Sequence, residues 1–143
     1  MQLRDYQRED VDKLKTMPTA GIFNEQRTGK TPTAISIVHE CRCRKVLIIC
    51  PKSAQYPWAA EFTSWTNGRP AVVCSGTLQH RKNLIKTWEK GALIISYGAI
   101  KQTATASGVL AEVLAAQPNA VIADEAHRFK TPDTAVFTAM NKL

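Results

Sequence analysis

Gly29-Lys30-Thr31 stands between an apolar run, Ala20 to Phe23, and a helix-like run, Pro32 to Cys43. That junction restricts the possible folds more than any other stretch. A strand has to end, the backbone has to turn with successive N–H groups facing inward, and a helix has to begin. Such a turn cradles phosphate: Lys30 reaches the outer phosphates and the Thr31 hydroxyl ligates Mg²⁺. The full loop, Asn24-Glu25-Gln26-Arg27-Thr28-Gly29-Lys30-Thr31, has Asn24 where the phosphate-loop pattern has its first glycine. Asparagine enters positive φ more readily than most residues, so the turn survives the change. An ordinary strand–turn–helix junction with a chance lysine is the competing reading.

A second segment weighs against chance. Ala120-Val121-Ile122-Ala123 is a short apolar run that ends in Asp124-Glu125-Ala126-His127. In parallel α/β sheets, functional groups collect at the C-terminal ends of strands. An aspartate there holds the Mg²⁺ of a nucleotide through water, and the adjacent glutamate polarises an attacking water. A solvated helix start would also favour Asp and Glu, but not downstream of a Gly-Lys-Thr turn and directly after a strand. The two segments together read as the core of a nucleotide hydrolase.

The chain has 143 residues, 44% of them hydrophobic, which is enough for one core and one domain. Its net charge of +7 adds modest weight to a polyanionic partner. Cys41, Cys43, Cys50 and Cys74 lack the C-x-x-C spacing of a zinc site, and Cys41-Arg42-Cys43 reads as two free thiols. Cys50 and Cys74 lie in apolar runs and read as buried thiols of a reducing compartment. No apolar run approaches the roughly 18–20 residues of a membrane span. A cytoplasmic, nucleic-acid-associated protein without membrane contact is expected.

Along the chain, Tyr6, Val11 and Leu14, with Leu3 ahead of them, carry a helical spacing that Pro18 ends. Gln7 can read an adenine edge, since its amide donates and accepts at once, although a glutamine at a helix start is more commonly solvated. Strands are expected at Ala20 to Phe23, Val46 to Cys50, Ala71 to Cys74, Ala92 to Ser96 and Ala120 to Ala123. Helices are expected from Lys30 to about Arg42, around Trp58, Phe62 and Trp65, from Thr77 to about Glu89, and around Val109 to Leu114. The Trp58–Phe62–Trp65 stripe reads as core, not as a base-stacking platform. Leu78, Leu84, Ile85 and Trp88 are expected to face inward, and Thr131-Pro132-Asp133 to open a last helix. Five strands alternating with helices make a parallel α/β sheet.

With those residues in hand, the chain resembles the first half of a superfamily-two helicase motor of the Swi/Snf type. Leu3-Arg4-Asp5-Tyr6-Gln7 is similar to that family's L-R-x-Y-Q element, and Asn24 to Thr31 to its D-E-M-G-L-G-K-T loop. Cys50-Pro51-Lys52-Ser53 with Trp58 and Glu61 resembles motif Ia. Ile94-Ile95-Ser96-Tyr97 resembles a later strand ending in S/T-Y, and Asp124-Glu125-Ala126-His127 resembles motif II. The resemblance implies a RecA-like P-loop NTPase fold, a three-layer α/β/α parallel sheet, with ATP and Mg²⁺ as cofactors. Gln7 would select adenine; Arg27, Thr28, Gly29, Lys30 and Thr31 would hold the phosphates; Thr31 and Asp124 would serve the metal; Glu125 would activate water. His127 would couple that site to nucleic acid. Lys52, Ser53, Tyr97 and Gly98 lie where the family touches the phosphodiester backbone, so the implied partner is double-stranded DNA held without sequence preference.

Two departures accompany the resemblance. Arg27 replaces the middle glycine of the loop, and its guanidinium either points to solvent or approaches the γ-phosphate or a facing domain. Motif III and a second motor domain are absent from residues 1–143, which are therefore expected to be an incomplete first motor domain. A second chain or domain would then supply motifs III to VI. A truncated or split nucleotide- or DNA-binding module that hydrolyses nothing alone is the alternative.

Overall fold

The computed structural model describes residues 2–22, 29–99 and 109–125. Four strands, β1 (Lys45–Cys50), β2 (Ala71–Cys74), β3 (Gly91–Ser96) and β4 (Ala120–Ala123), form one parallel sheet in the order β2-β3-β1-β4. Val46 faces Ala92 on one side and Ala120 on the other, and Ile49 faces Ile95 and Ala123. Five helices accompany the sheet among the described residues: α1 (Asp5–Leu14), α2 (Lys30–Glu40), α3 (Gln55–Trp65), α4 (Leu78–Thr87) and α5 (Leu110–Ala116). A 3₁₀ turn, Lys52–Ala54, precedes α3.

The strand alternation divides the core into two layers. Val46, Ile48 and Cys50 of β1 and Ala92 and Ile94 of β3 face Ile35 and Val38 of α2 and Trp58 and Phe62 of α3. Leu47, Ile49, Leu93 and Ile95 point the other way, onto Ile85 and Trp88, and onto Val109, Leu110 and Val113. Both faces of β1 and β3 are therefore covered, which explains why these strands read as continuous apolar runs and not as an alternation. The turn before β4 is tied to the first residue of β1. Lys45 N–H donates to Asn119 Oδ1 at 2.9 Å, Asn119 N–H donates to Lys45 O at 2.8 Å, and Lys45 Nζ donates to Ala116 O at 2.9 Å.

Three expectations are corrected. Ala20, Gly21 and Ile22 form no strand, and the rest of that run lies outside the described residues. Ala20 and Gly21 are exposed, so they lack the burial that an apolar parallel strand requires, and Gly21 weakens a strand further. In α1, Tyr6 is 39% exposed while Gln7 is buried, because the Gln7 amide is drawn inward by the backbone bonds described below. In α4, Leu78 is exposed at the first turn, and Ile85 and Trp88 carry the inward face. The helix expected to open at Thr131-Pro132-Asp133 lies outside the described residues, and the remaining strands and helices appear close to where they were expected. The Thr77 hydroxyl caps α4 by accepting from His80 N–H at 3.3 Å.

The four cysteines are free thiols; Cys41 is exposed and Cys50 and Cys74 are buried. Burial first, then the nearby Asp124 carboxylate, pushes the Cys50 thiol up to about 12, and burial pushes Cys74 up to about 11. Native alkylation at pH 8 should label Cys41 first and spare Cys50 and Cys74 until the chain unfolds. Equal labelling rates for all four would contradict this burial. An unfolded thiol ionises near about 8.5, whereas these two stay protonated in the fold. Their contribution to stability is thus complete below that pH and declines as pH rises toward the folded values.

Candidate nucleotide site

Chain direction gathers the predicted groups. The strands are parallel, so the segments following β1, β3 and β4 emerge at one end of the sheet: Lys52-Ser53, Tyr97-Gly98 and Asp124-Glu125. Helix α2 lies against the same sheet face and its chain continues directly into the start of β1. It therefore runs back along the strands, and its first residues, Gly29 to Thr31, lie toward the end where Asp124 emerges. Among the expected site residues, Arg27, Thr28 and His127 lie outside the described residues.

The helix start is built tightly. Gly29 has φ 74°, in the left-handed region where a side chain is strained. Its carbonyl accepts from Thr33 Oγ1 at 3.2 Å and from Gln7 Nε2 at 3.1 Å. A Cβ at Gly29 would stand 2.3 Å from that Gln7 nitrogen. Gln7 also accepts the Arg4 N–H at 2.8 Å through Oε1, so one amide joins the N-terminus of α1 to the N-terminus of α2. Sequence reasoning placed Gln7 near the loop and missed this link; the glutamine three residues after a helix N-cap was the available signal. Lys30 is exposed and Thr31 half-buried in the first turn, where helix N–H groups and the dipole favour an anion. Pro32 sits in that same turn, which tolerates it.

Asp124 follows β4 and remains tied to the sheet, its N–H donating to Ile49 O at 2.8 Å. Its carboxylate accepts from the Trp58 indole Nε1–H through Oδ2 at 2.9 Å. Its backbone carbonyl accepts from the Tyr97 hydroxyl. Trp58 was expected as core, and at 5% exposure it is core, but its one polar atom serves the site. Glu125 is exposed and holds φ 55°, a left-handed conformation uncommon for a residue with a side chain and frequent where function demands it. Lys52, Ser53 and Gly98 are exposed, while Tyr97 is buried with its hydroxyl turned to Asp124. Burial raises the Glu61 carboxyl on α3 above the ordinary range.

The residues suit a magnesium nucleotide. Among the described residues, the Asp124 carboxylate takes one side-chain hydrogen bond, from Trp58, and Thr31 adds a hydroxyl at the α2 start. Oxygen donors of this kind, few in number and completed by water and phosphate, match Mg²⁺. A different feature occupies the opposite end of the sheet: a groove of about 430 Å³ lined by His39, Arg42, Cys43, Arg44, Arg69 and Lys90. No helix among the described residues is long and apolar enough to cross a membrane.

A parallel α/β/α sandwich, with a glycine-led helix start and an acidic strand end directed to one side, has the RecA-like fold. The chain belongs to the SNF2-related domain family, which it matches over residues 7–143. Proteins of that family use a nucleotide. The chain is 27% identical to the DNA repair and recombination protein RAD54B of Gallus gallus, over 99% of this chain and 17% of the relative. It is 31% identical to the ISWI chromatin-remodeling complex ATPase ISW2 of Saccharomyces cerevisiae, over 94% of this chain and 13% of that protein. A Sulfolobus solfataricus SWI2/SNF2 ATPase core, solved in complex with dsDNA, has the same fold. Its TM-score is 0.78 at 19% identity, covering 100% of this chain and 30% of that one. The chain thus spans less than a quarter of these curated relatives' length.

Proposed function

We infer that residues 1–143 form the ATP-binding part of a DNA-dependent ATPase, a first motor domain that couples ATP hydrolysis to movement on double-stranded DNA. The observation that carries this reading is the direction of the Gly29–Thr31 helix start and the Asp124–Glu125 strand end toward one side of a sheet of this family. Lys30 and the first N–H groups of α2 bind the phosphates, and Gln7 contributes to adenine selection from its place against Gly29. Thr31, and Asp124 through water, would hold Mg²⁺, which would supply charge to offset the phosphates. Glu125 accepts the proton of the attacking water. Arg27 and Thr28 complete the phosphate loop, and His127 joins the site to nucleic acid.

Lys52 and Ser53 after β1, with Gly98 after β3, form the face for the DNA backbone; Tyr97, expected there too, is buried and supports that face from within. Binding there should be independent of sequence and should weaken steeply with salt, since each neutralised phosphate releases counterions. Fluorescence anisotropy with two unrelated duplexes over a salt series checks this. Lys52→Ala should lower the salt slope by about 1, as for one lost phosphate contact. Loss of the slope in Arg44→Ala instead would move the DNA to the groove at the far end of the sheet. A strong preference for one duplex would reject a backbone-reading face.

The second reading is a module that binds nucleotide and hydrolyses nothing alone, and the four-residue β4 at an edge of the described sheet favours it. An edge strand next to a catalytic carboxylate leaves backbone groups for a further strand to pair. Steady-state phosphate release by residues 1–143, with and without duplex DNA, separates the two readings.

A further inference from the structure

Asp124 is gripped by two side chains, and neither lies on its own strand. The Trp58 indole reaches it from α3 and the Tyr97 hydroxyl from the segment after β3. Both rings are buried, at 5% and 7% exposure. Helix α3 begins directly after the Lys52–Ala54 turn, and its first residue, Gln55, is also buried. Gln55 Nε2 donates to Ile94 O at 3.4 Å, which ties the start of α3 to β3. Lys52 and Ser53 are thus joined to Trp58 through one clamped helical turn, and Gly98 is joined to Tyr97 by a single peptide bond.

We propose that Trp58 and Tyr97 are positioning residues through which DNA contact at Lys52-Ser53 and Gly98 sets the orientation of the Asp124 carboxylate toward metal-bound nucleotide. The proposal rests on the nucleotide and DNA reading above and adds the route between the two sites. The rotation of a carboxylate about its last bond is soft. A single indole N–H on one oxygen defines which oxygen remains turned to the metal. The Tyr97 bond fixes the backbone from which that side chain springs. A shift of α3 or of the Tyr97 segment by a bound phosphodiester changes both restraints together. A purely structural pair of aromatics would alter stability and leave metal dependence untouched.

The test is the Mg²⁺ dependence of binding of a fluorescent ADP analogue by residues 1–143, with and without duplex DNA. Trp58→Phe keeps the ring and removes the N–H. It should raise the half-saturating Mg²⁺ about tenfold, the lower end for groups that orient a metal ligand, and leave affinity in EDTA unchanged. DNA should shift the wild-type half-saturation, and this shift should disappear in Trp58→Phe and in Tyr97→Phe. In a ¹⁵N-correlated spectrum of the wild type, the Trp58 indole cross-peak, assigned with Trp65→Phe and Trp88→Phe, should move on adding Mg-ADP and again on adding DNA. That measurement holds even where Trp58→Phe fails to fold. A wild-type chain without Mg²⁺-dependent nucleotide binding overturns the functional reading itself. Mg²⁺-dependent binding that is identical in Trp58→Phe and Tyr97→Phe, or a stationary Trp58 cross-peak, overturns the coupling route alone.

Discussion

Glu125→Gln should abolish nearly all ATP turnover that depends on this site, by about 10²-fold or more, while Mg-ATP still binds. The substitution keeps the size and shape of the side chain and removes the carboxylate proposed to take a proton from water. It also preserves the backbone: Glu125 is exposed and sits at φ 55°, a conformation glutamine enters at the same cost. A loss of turnover therefore cannot be assigned to a collapsed turn. The two quantities are measured separately, binding by calorimetric titration and hydrolysis by phosphate release. Hydrolysis is followed with residues 1–143 alone and with the chain joined to a second motor domain. Turnover near the wild-type rate would remove Glu125 from the chemistry and leave Asp124 to be tested as the base.

Lys30→Ala acts on the ground state instead. Its ammonium stands in the first turn of α2, where it adds a full charge to the partial charge of the helix end. Removing one charge-assisted contact costs about 1.5–3 kcal/mol, or about ten- to hundredfold in affinity. Titration of wild type and Lys30→Ala with Mg-ATP checks it directly. The helix itself should survive, since alanine is the best helix former and Gly29, Thr33 and Gln7, which shape the turn, are untouched. Equal affinities would mean that the Gly-Lys-Thr turn is an ordinary junction after all.

Much of the fold was readable in the chain because its strands are covered on both faces. Val46 to Cys50 and Ala92 to Ile95 are apolar without interruption, the pattern of a parallel strand buried on both faces. Ala20 to Ile22 show where the same rule misleads: an apolar run makes a strand only where a neighbour pairs with it, and pairing is not written locally. Side-chain volume was legible and polar tips were not. Trp58 and Phe62 belong to the core as expected, yet the Trp58 N–H meets a carboxylate sixty-six positions away in the chain. Gln55 and Gln7 were unreadable as buried residues for the same reason, since their amides are satisfied by the carbonyls of Ile94 and Gly29. The placement of Lys52-Ser53, Tyr97-Gly98 and Asp124 at one end of the sheet followed from parallel topology, which the alternation of elements implied.

Strand β1 has a consequence beyond architecture. It is flanked by β3 and β4 and covered by α2 and α3 on one side and by α4 and α5 on the other, with Val46 through Cys50 fully inaccessible. Local opening of a domain starts where few contacts hold and reaches such a strand only with global unfolding. Asp124 borrows this persistence, because its N–H is bonded to the carbonyl of Ile49. The backbone of Asp124 is thus moored to a fully buried strand, although it stands one residue beyond β4, at an edge of the described sheet.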